Sequence, residues 1–328
     1  MPLTISFIIA VRDEPLQLLD ATLDGLLETS ARYRRQIIVV DDGSLIPLAL
    51  ERSEVLVVRH STPVGSSRAR RSGASFATGD VLVFLDPHMS FASDWLDRML
   101  PHVGSGALLC AAWWDWELTN PVCWGAEFVW CGQRDYHRGL TPGFAFRHLT
   151  RFPGDGAVEV PMVIGACYML LRQSYERIGG FSPFFRIWGK LEQDLCSRAR
   201  ILGLGVKCVT GARVGHFSRP KFPYPVRWDD IEFNQLVTLR TVFEEPIRQA
   251  LEKRFEPLPN KVVEWLRDEN FSDFRRILQS RRRISDLEFF RRFVSNAEEL
   301  EECFKDPQAT PPDTRLSASP IPAGFISA

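Results

Sequence analysis

Short, wholly apolar runs alternate with stretches in which leucine or alanine recurs every three or four residues, and this alternation carries through the first 105 positions. The runs at 5–11, 37–40, 55–58 and 81–85 hold no charge and are rich in β-branched residues, as strands buried on both faces are. Between the first two, Leu16, Leu19, Leu23, Leu26 and Leu27 keep helical spacing, with Pro15 placed to open that helix. A basic helix starting near Arg68 separates the third run from the fourth. This alternation predicts an α/β fold with a mostly parallel central sheet flanked by helices.

Three of these runs end in polar clusters: Arg12-Asp13-Glu14, Asp41-Asp42-Gly43-Ser44 and Asp86-Pro87-His88. In an open α/β sheet, ligands bind beyond the carboxyl ends of the strands, so these tips are the candidate site. Asp86 and His88 stand at i and i+2, on the same side of an extended chain. A carboxylate and an imidazole so placed can face one divalent ion and leave room on it for diphosphate oxygens and water. A polar turn is the plain alternative for each cluster taken singly. Asp41 and Asp42 suit ribose hydroxyls or a base edge.

Past residue 105 the pattern changes. Trp113, Trp114, Trp116, Trp124, Phe128, Trp130 and Tyr136 fall among Gly and Pro breakers, which predicts aromatic-rich loops that either pack or bind. A strand over 160–171 carries Gly165-Ala166, small residues that allow close approach to the backbone. A helix over 174–178 stops at Gly179-Gly180; a helical stretch over 195–202 and a short strand over 206–209 follow. From 229 onward the chain reads as amphipathic helix, including single segments at 261–278 and 284–304. The expected organisation is a catalytic domain over 1–225, a helical extension over 226–305 and a disordered tail over 306–328. Within the catalytic domain, 1–105 form a nucleotide-binding half and 106–225 a sugar and acceptor half.

Composition narrows the function. A net charge of -1 excludes a strongly basic nucleic-acid binder, and the sequence holds neither GxGxxG after its first strand nor GxxxxGK[ST]. Seven cysteines, odd in number and without a CxxC pair, suit a reducing cytoplasm. No basic stretch precedes the first strand, and no run approaches the roughly 20 apolar residues that span a bilayer. Phe289, Phe290 and Phe293, with Arg291-Arg292, leave peripheral contact with an anionic membrane open beside packing on the catalytic domain.

The ordered set Ser6-Phe7-Ile8-Ile9, Val39-Val40-Asp41-Asp42-Gly43-Ser44, Arg68-Ala69-Arg70, Phe84-Leu85-Asp86-Pro87-His88, Ile187-Trp188-Gly189 and Val214-Gly215-His216 resembles family-two glycosyltransferases of the GT-A fold. Within that group it is most similar to the catalytic domain of polypeptide N-acetylgalactosaminyltransferases, over roughly residues 4–220. The resemblance implies a nucleotide-sugar donor, UDP-linked, and an unidentified acceptor. Asp86, His88 and His216 would hold Mn2+, or Mg2+ in its place. Val11, Arg12, Glu14, Asp41 and Asp42 would form the uridine pocket, with Arg68 at the matching helix start. Trp188 would cover the diphosphate, and Gly165-Ala166 would floor the sugar. Arg219 and Lys221, just past His216, could clamp the phosphates.

Two departures stand out. Those relatives carry Trp-Gly-Gly-Glu-Asn where this chain has Trp188-Gly189-Lys190-Leu191-Glu192, and residues 226–305 read as helical where a lectin domain usually follows. Glu192 fits a general base of inverting enzymes, whereas the Asp-x-His set points to retaining ones, so the stereochemistry stays open. A catalytically inactive nucleotide-sugar or glycan-binding module acting through a partner is the alternative reading.

Overall fold

The computed structural model describes residues 3–219 and 221–305, and the tail expected over 306–328 lies outside the described residues. The nucleotide-binding half comprises β1 (Thr4–Val11), α1 (Leu16–Thr29), β2 (Arg34–Asp41), β3 (Val55–Arg59), α2 (Ser66–Phe76), β4 (Val81–Leu85), β5 (Met89–Phe91) and α3 (Trp95–Val103). There β4, β1, β2 and β3 lie side by side and parallel, as the apolar runs predict.

The period of two explains why these strands carry no polar face. Ile8, Ile38, Val40, Leu82 and Phe84 enter one core, while Phe7, Ile9, Val39, Val83 and Leu85 enter the core on the opposite side. Both sides of the sheet are covered, so every residue of β4 is buried.

The second half is mixed. It contains β6 (Leu108–Trp114), β7 (Pro121–Cys123), β8 (Ala126–Cys131), β9 (Gly143–His148), β10 (Ala157–Glu159), β11 (Cys167–Leu171), α4 (Arg172–Arg177), α5 (Leu191–Ile201) and β12 (Val206–His216). The sheet order is β10-β12-β6-β11-β4-β1-β2-β3, with β11 antiparallel to both β4 and β6.

Three expectations need correction here. The aromatic stretch is not mainly loop: it supplies β6, β7 and the β8–β9 hairpin, whose Phe128, Trp130 and Phe144 are buried. The strand expected over 160–171 begins only at Cys167, because Ala166 takes a left-handed backbone, φ 75°, and breaks extension before it. The strand expected to end at 209 runs on through an irregularity to His216.

The C-terminal segment is α6 (Trp228–Val242), α7 (Ile247–Glu252), α8 (Asn260–Asp268), α9 (Ser272–Ser280), α10 (Asp286–Phe293) and α11 (Ala297–Lys305). The two long helices expected from 261 and 284 are each divided. At the second break Asn296 bonds both the N–H (2.7 Å) and the carbonyl (2.9 Å) of Trp130, so the interruption serves to dock on β8. Phe243, Phe289 and Phe290 pack with Phe144, so residues 226–305 share a core with the sheet. Phe289 and Phe290 are fully buried and form no membrane-facing surface. Among the described residues, no helix is long and apolar enough to cross a membrane.

Candidate active site

A cavity of about 460 Å³ opens beyond the tips of β1 and β4. Its walls include Arg12 and Glu14 after β1, Asp86 and His88 after β4, and His216 at the end of β12. β5 pairs antiparallel with the last residues of β12, setting Met89 opposite His216, and this register brings together ligands 128 residues apart.

The ligand atoms of Asp86, His88 and His216 lie within 4.8 Å of one another. His88 Nε2 and His216 Nε2 are 3.1 Å apart, and His216 Nε2 is 3.5 Å from Asp86 Oδ2. Two imidazole nitrogens and a carboxylate converging on one point fit a divalent ion that accepts N and O donors. Burial raises the Asp86 carboxyl, but the His216 hydrogen bond and the charge on Arg70 outweigh it and hold the carboxyl well below its usual range. Burial lowers His216 against the pull of Asp86. Both shifts favour the forms that bind a cation, carboxylate and neutral imidazole.

The surroundings orient these groups. His88 Nδ1 is 3.3 Å from Glu14 Oε1, a carboxylate on the far ring nitrogen as metal-bound histidines usually have. Arg219 bonds Glu14 and approaches the same nitrogen. The His216 ring stacks on Trp113 at 4.5 Å, and Trp113 donates to the Gly165 carbonyl at 2.7 Å. The Ala166 carbonyl accepts from the Asp86 amide at 2.9 Å, so the expected sugar floor is tied to the metal-ligand strand.

Glu192 lies in the first turn of α5, one turn earlier than that helix was expected to begin. Its Oε1 accepts a hydrogen bond from the Tyr168 hydroxyl. Burial pushes the Glu192 carboxyl up, with that hydroxyl pulling the other way. A Cβ on Gly165 would come within 3.0 Å of Glu192 Oε1, so glycine there leaves room for the carboxylate. Trp188 also lines the cavity, with its ring 4.6 Å from Phe222.

Four of the expected pocket residues stand outside the cavity. Asp41 is fully buried and its carboxylate closes the following loop through the Ser44 and Leu48 amides and Arg59. The Asp42 carboxylate accepts from the amides of Val64 (2.8 Å) and Gly65 (2.9 Å), and Val11, the fourth residue outside the cavity, accepts at its carbonyl from the Asp42 backbone amide. Arg68 turns away to the Phe184 carbonyl and Glu269. Arg70, which was given no role from sequence, is the arginine of this helix that is buried, lines the cavity and pairs with Asp86. Tyr168, Tyr224 and Trp113 were not singled out as site residues by the sequence reading, yet all three line the cavity; Arg12 sits over the Tyr224 ring at 4.5 Å.

The chain's relatives agree with this architecture. The model for glycosyl transferase family 2 matches residues 6–179, and that for the N-terminal domain of galactosyltransferase matches 155–221. Polypeptide N-acetylgalactosaminyltransferase 11 of Xenopus tropicalis is 27% identical over 310 residues, covering 87% of this chain and 48% of that protein. Probable N-acetylgalactosaminyltransferase 6 of Caenorhabditis elegans is 26% identical over 252 residues, covering 67% of this chain and 38% of that protein. The chain thus spans less than half the length of either relative. The crystal structure of GalNAc-T7 with UDP, GalNAc and Mn2+ superposes with a TM-score of 0.70 at 18% identity, over 89% of this chain and 57% of that one. The GT-A arrangement expected from sequence is therefore present, and with a family model matching more than half of its residues the chain belongs to glycosyl transferase family 2.

Proposed function

We propose that the chain is a metal-dependent glycosyltransferase that moves a sugar from a UDP-linked donor to an acceptor hydroxyl. The observation that carries this reading is the convergence of Asp86, His88 and His216 in the cavity at the strand tips. The relatives' names and the UDP and Mn2+ of the GalNAc-T7 structure support the donor and the ion. A divalent ion bound by the three side chains would neutralise charge on the departing diphosphate.

The chain's own groups would do the rest. Arg70 and Arg219, both on the cavity wall, supply fixed positive charge where the diphosphate collects electrons as the bond from the sugar C1 to UDP breaks. Gly165-Ala166 gives the sugar a side-chain-poor floor, and Trp188 covers the donor and excludes water. Glu192 takes the proton of the acceptor hydroxyl as that oxygen bonds to C1, which predicts inversion at that carbon. A cytoplasmic setting belongs to the same reading, on the odd number of cysteines and the lack of a CxxC pair in the sequence.

The test is UDP release from a panel of UDP-sugars with and without Mn2+. Release that needs Mn2+ and disappears in Glu192→Gln during transfer supports the reading. Absence of release with every donor, alongside UDP binding, would favour a binding module instead.

A further inference from the structure

The two histidines of the trio are held in different ways. His88 has polar neighbours at its far nitrogen, Nδ1, where Glu14 and Arg219 meet it. His216 Nδ1 is enclosed and has no hydrogen-bond partner among the described residues. A ligating histidine usually donates from its second nitrogen to a carboxylate or a carbonyl, and that bond fixes the ring. Without it, no polar contact stops the imidazole from turning within the broad well of its ring torsion, and only part of that well aims Nε2 at an ion.

What meets His216 instead is the face of an indole. The Trp113 ring lies 4.5 Å from the imidazole with the two planes 11° apart, a stacked pair, whereas the His88 ring is tilted by 56° to it. Strand register produces this contact. β6 and β12 run parallel with Trp113 opposite Val214, so Trp113 and His216 are diagonal neighbours on one face of the sheet. Trp113 is fixed in turn, because its Nε1–H donates to the Gly165 carbonyl at 2.7 Å. It is half-buried and lines the cavity, where an indole that merely filled the core would be enclosed.

We propose that Trp113 is a positioning residue for the metal centre: its ring face holds the His216 imidazole with Nε2 aimed at the point where Asp86 and His88 converge. The indole replaces the acceptor that Nδ1 lacks and sets the ligand in place before an ion arrives, so less freedom is lost on binding. This rests on reading the trio as a divalent-ion site.

Titration of Mn2+ into the full chain with UDP present, read by the loss of free-Mn2+ electron paramagnetic resonance signal, tests the proposal. Trp113→Leu keeps an apolar side chain but offers no ring face, and should weaken Mn2+ binding by about tenfold or more, the scale of losing an outer-shell partner. Trp113→Phe restores a ring face and should bring affinity back to within about threefold of wild type. Lost affinity in a Trp113→Leu protein that melts as wild type does marks positioning; a lowered melting temperature with wild-type affinity marks packing alone and overturns the proposal. An equal loss of affinity in both variants overturns it as well.

A metal-free measurement on wild type covers a Trp113→Leu protein that fails to fold. The chain has six histidines, so the ring-proton resonances of His216 can be identified by their loss in His216→Ala, and the stacked indole should shift them upfield. Unshifted resonances would overturn the proposal. Should wild type bind no Mn2+, the metal reading fails, and the same ring-proton shift then decides whether Trp113 holds His216.

Discussion

Arg70 crosses from α2 to pair with the Asp86 carboxylate at the tip of β4, while Arg68, two residues earlier on the same helix, faces Phe184 and Glu269. The two arginines should therefore differ sharply in effect. Arg70→Ala should lower turnover of the preferred UDP-sugar by about 100-fold, on the scale of losing one electrostatic donor in an active site. Arg68→Ala should stay within about threefold, since a half-exposed ion pair contributes little. Steady-state kinetics on the two variants checks this.

The sequence pointed to the wrong one of the two, Arg68, because which side of α2 faces the sheet emerges only in the fold. Gly73 lies where a Cβ would meet Ile8 Cγ2 at 2.4 Å, so it marks the sheet-facing side of α2. Arg70 is one turn before Gly73 and shares its side, and Arg68 does not. The strands, the Asp86-His88 pair and the helical C-terminus were readable, because apolar periodicity and strand tips are local signals, whereas His216 was reached only through the family resemblance. The roles of Asp41 and Asp42 were not, because whether a tip carboxylate faces a ligand or closes its own loop depends on Leu48, Val64 and Gly65 folding back onto it.

Asn234 links the C-terminal helices to the cavity. From α6 its side-chain amide donates to the carbonyls of Arg186, Trp188 and Gly189, and its Oδ1 accepts from the Arg186 amide at 2.7 Å. Asn234→Ala should cost about 1–3 kcal/mol by leaving these buried backbone groups unpaired. Hydrogen exchange should speed up at residues 186–190, and the donor KM should rise. Exchange at wild-type rates would show that the loop holds itself.

Arg198 is fully buried in α5, pairs with Asp194 and reaches the carbonyls of Ile178 and Gly180. Arg198→Met strands the Asp194 charge in the interior and should cost about 3–5 kcal/mol. Urea unfolding measures this directly.

Glu192 carries a pH signature. Its folded-state pKa is raised by burial, so between the ordinary glutamate value and the raised one the native state holds a proton that the unfolded chain has lost. Its contribution to stability is fully present below the unfolded pKa and is lost as pH rises through the folded one. Glu192→Gln should therefore gain stability relative to wild type as pH rises through that window. Transfer should show the opposite trend, rising in wild type as Glu192 ionises and staying low in the variant. Melting curves and rates across a pH series that starts below the ordinary glutamate value and rises from there test both trends.

The central claim is that Asp86, His88 and His216 hold a divalent ion. Titrating Mn2+ into the protein with UDP present, followed by the loss of free-Mn2+ electron paramagnetic resonance signal, measures it most directly. One Mn2+ should bind per wild-type chain, and Asp86→Ala and His216→Ala should each lose that binding while melting cooperatively. Wild-type Mn2+ affinity in either variant would contradict the account.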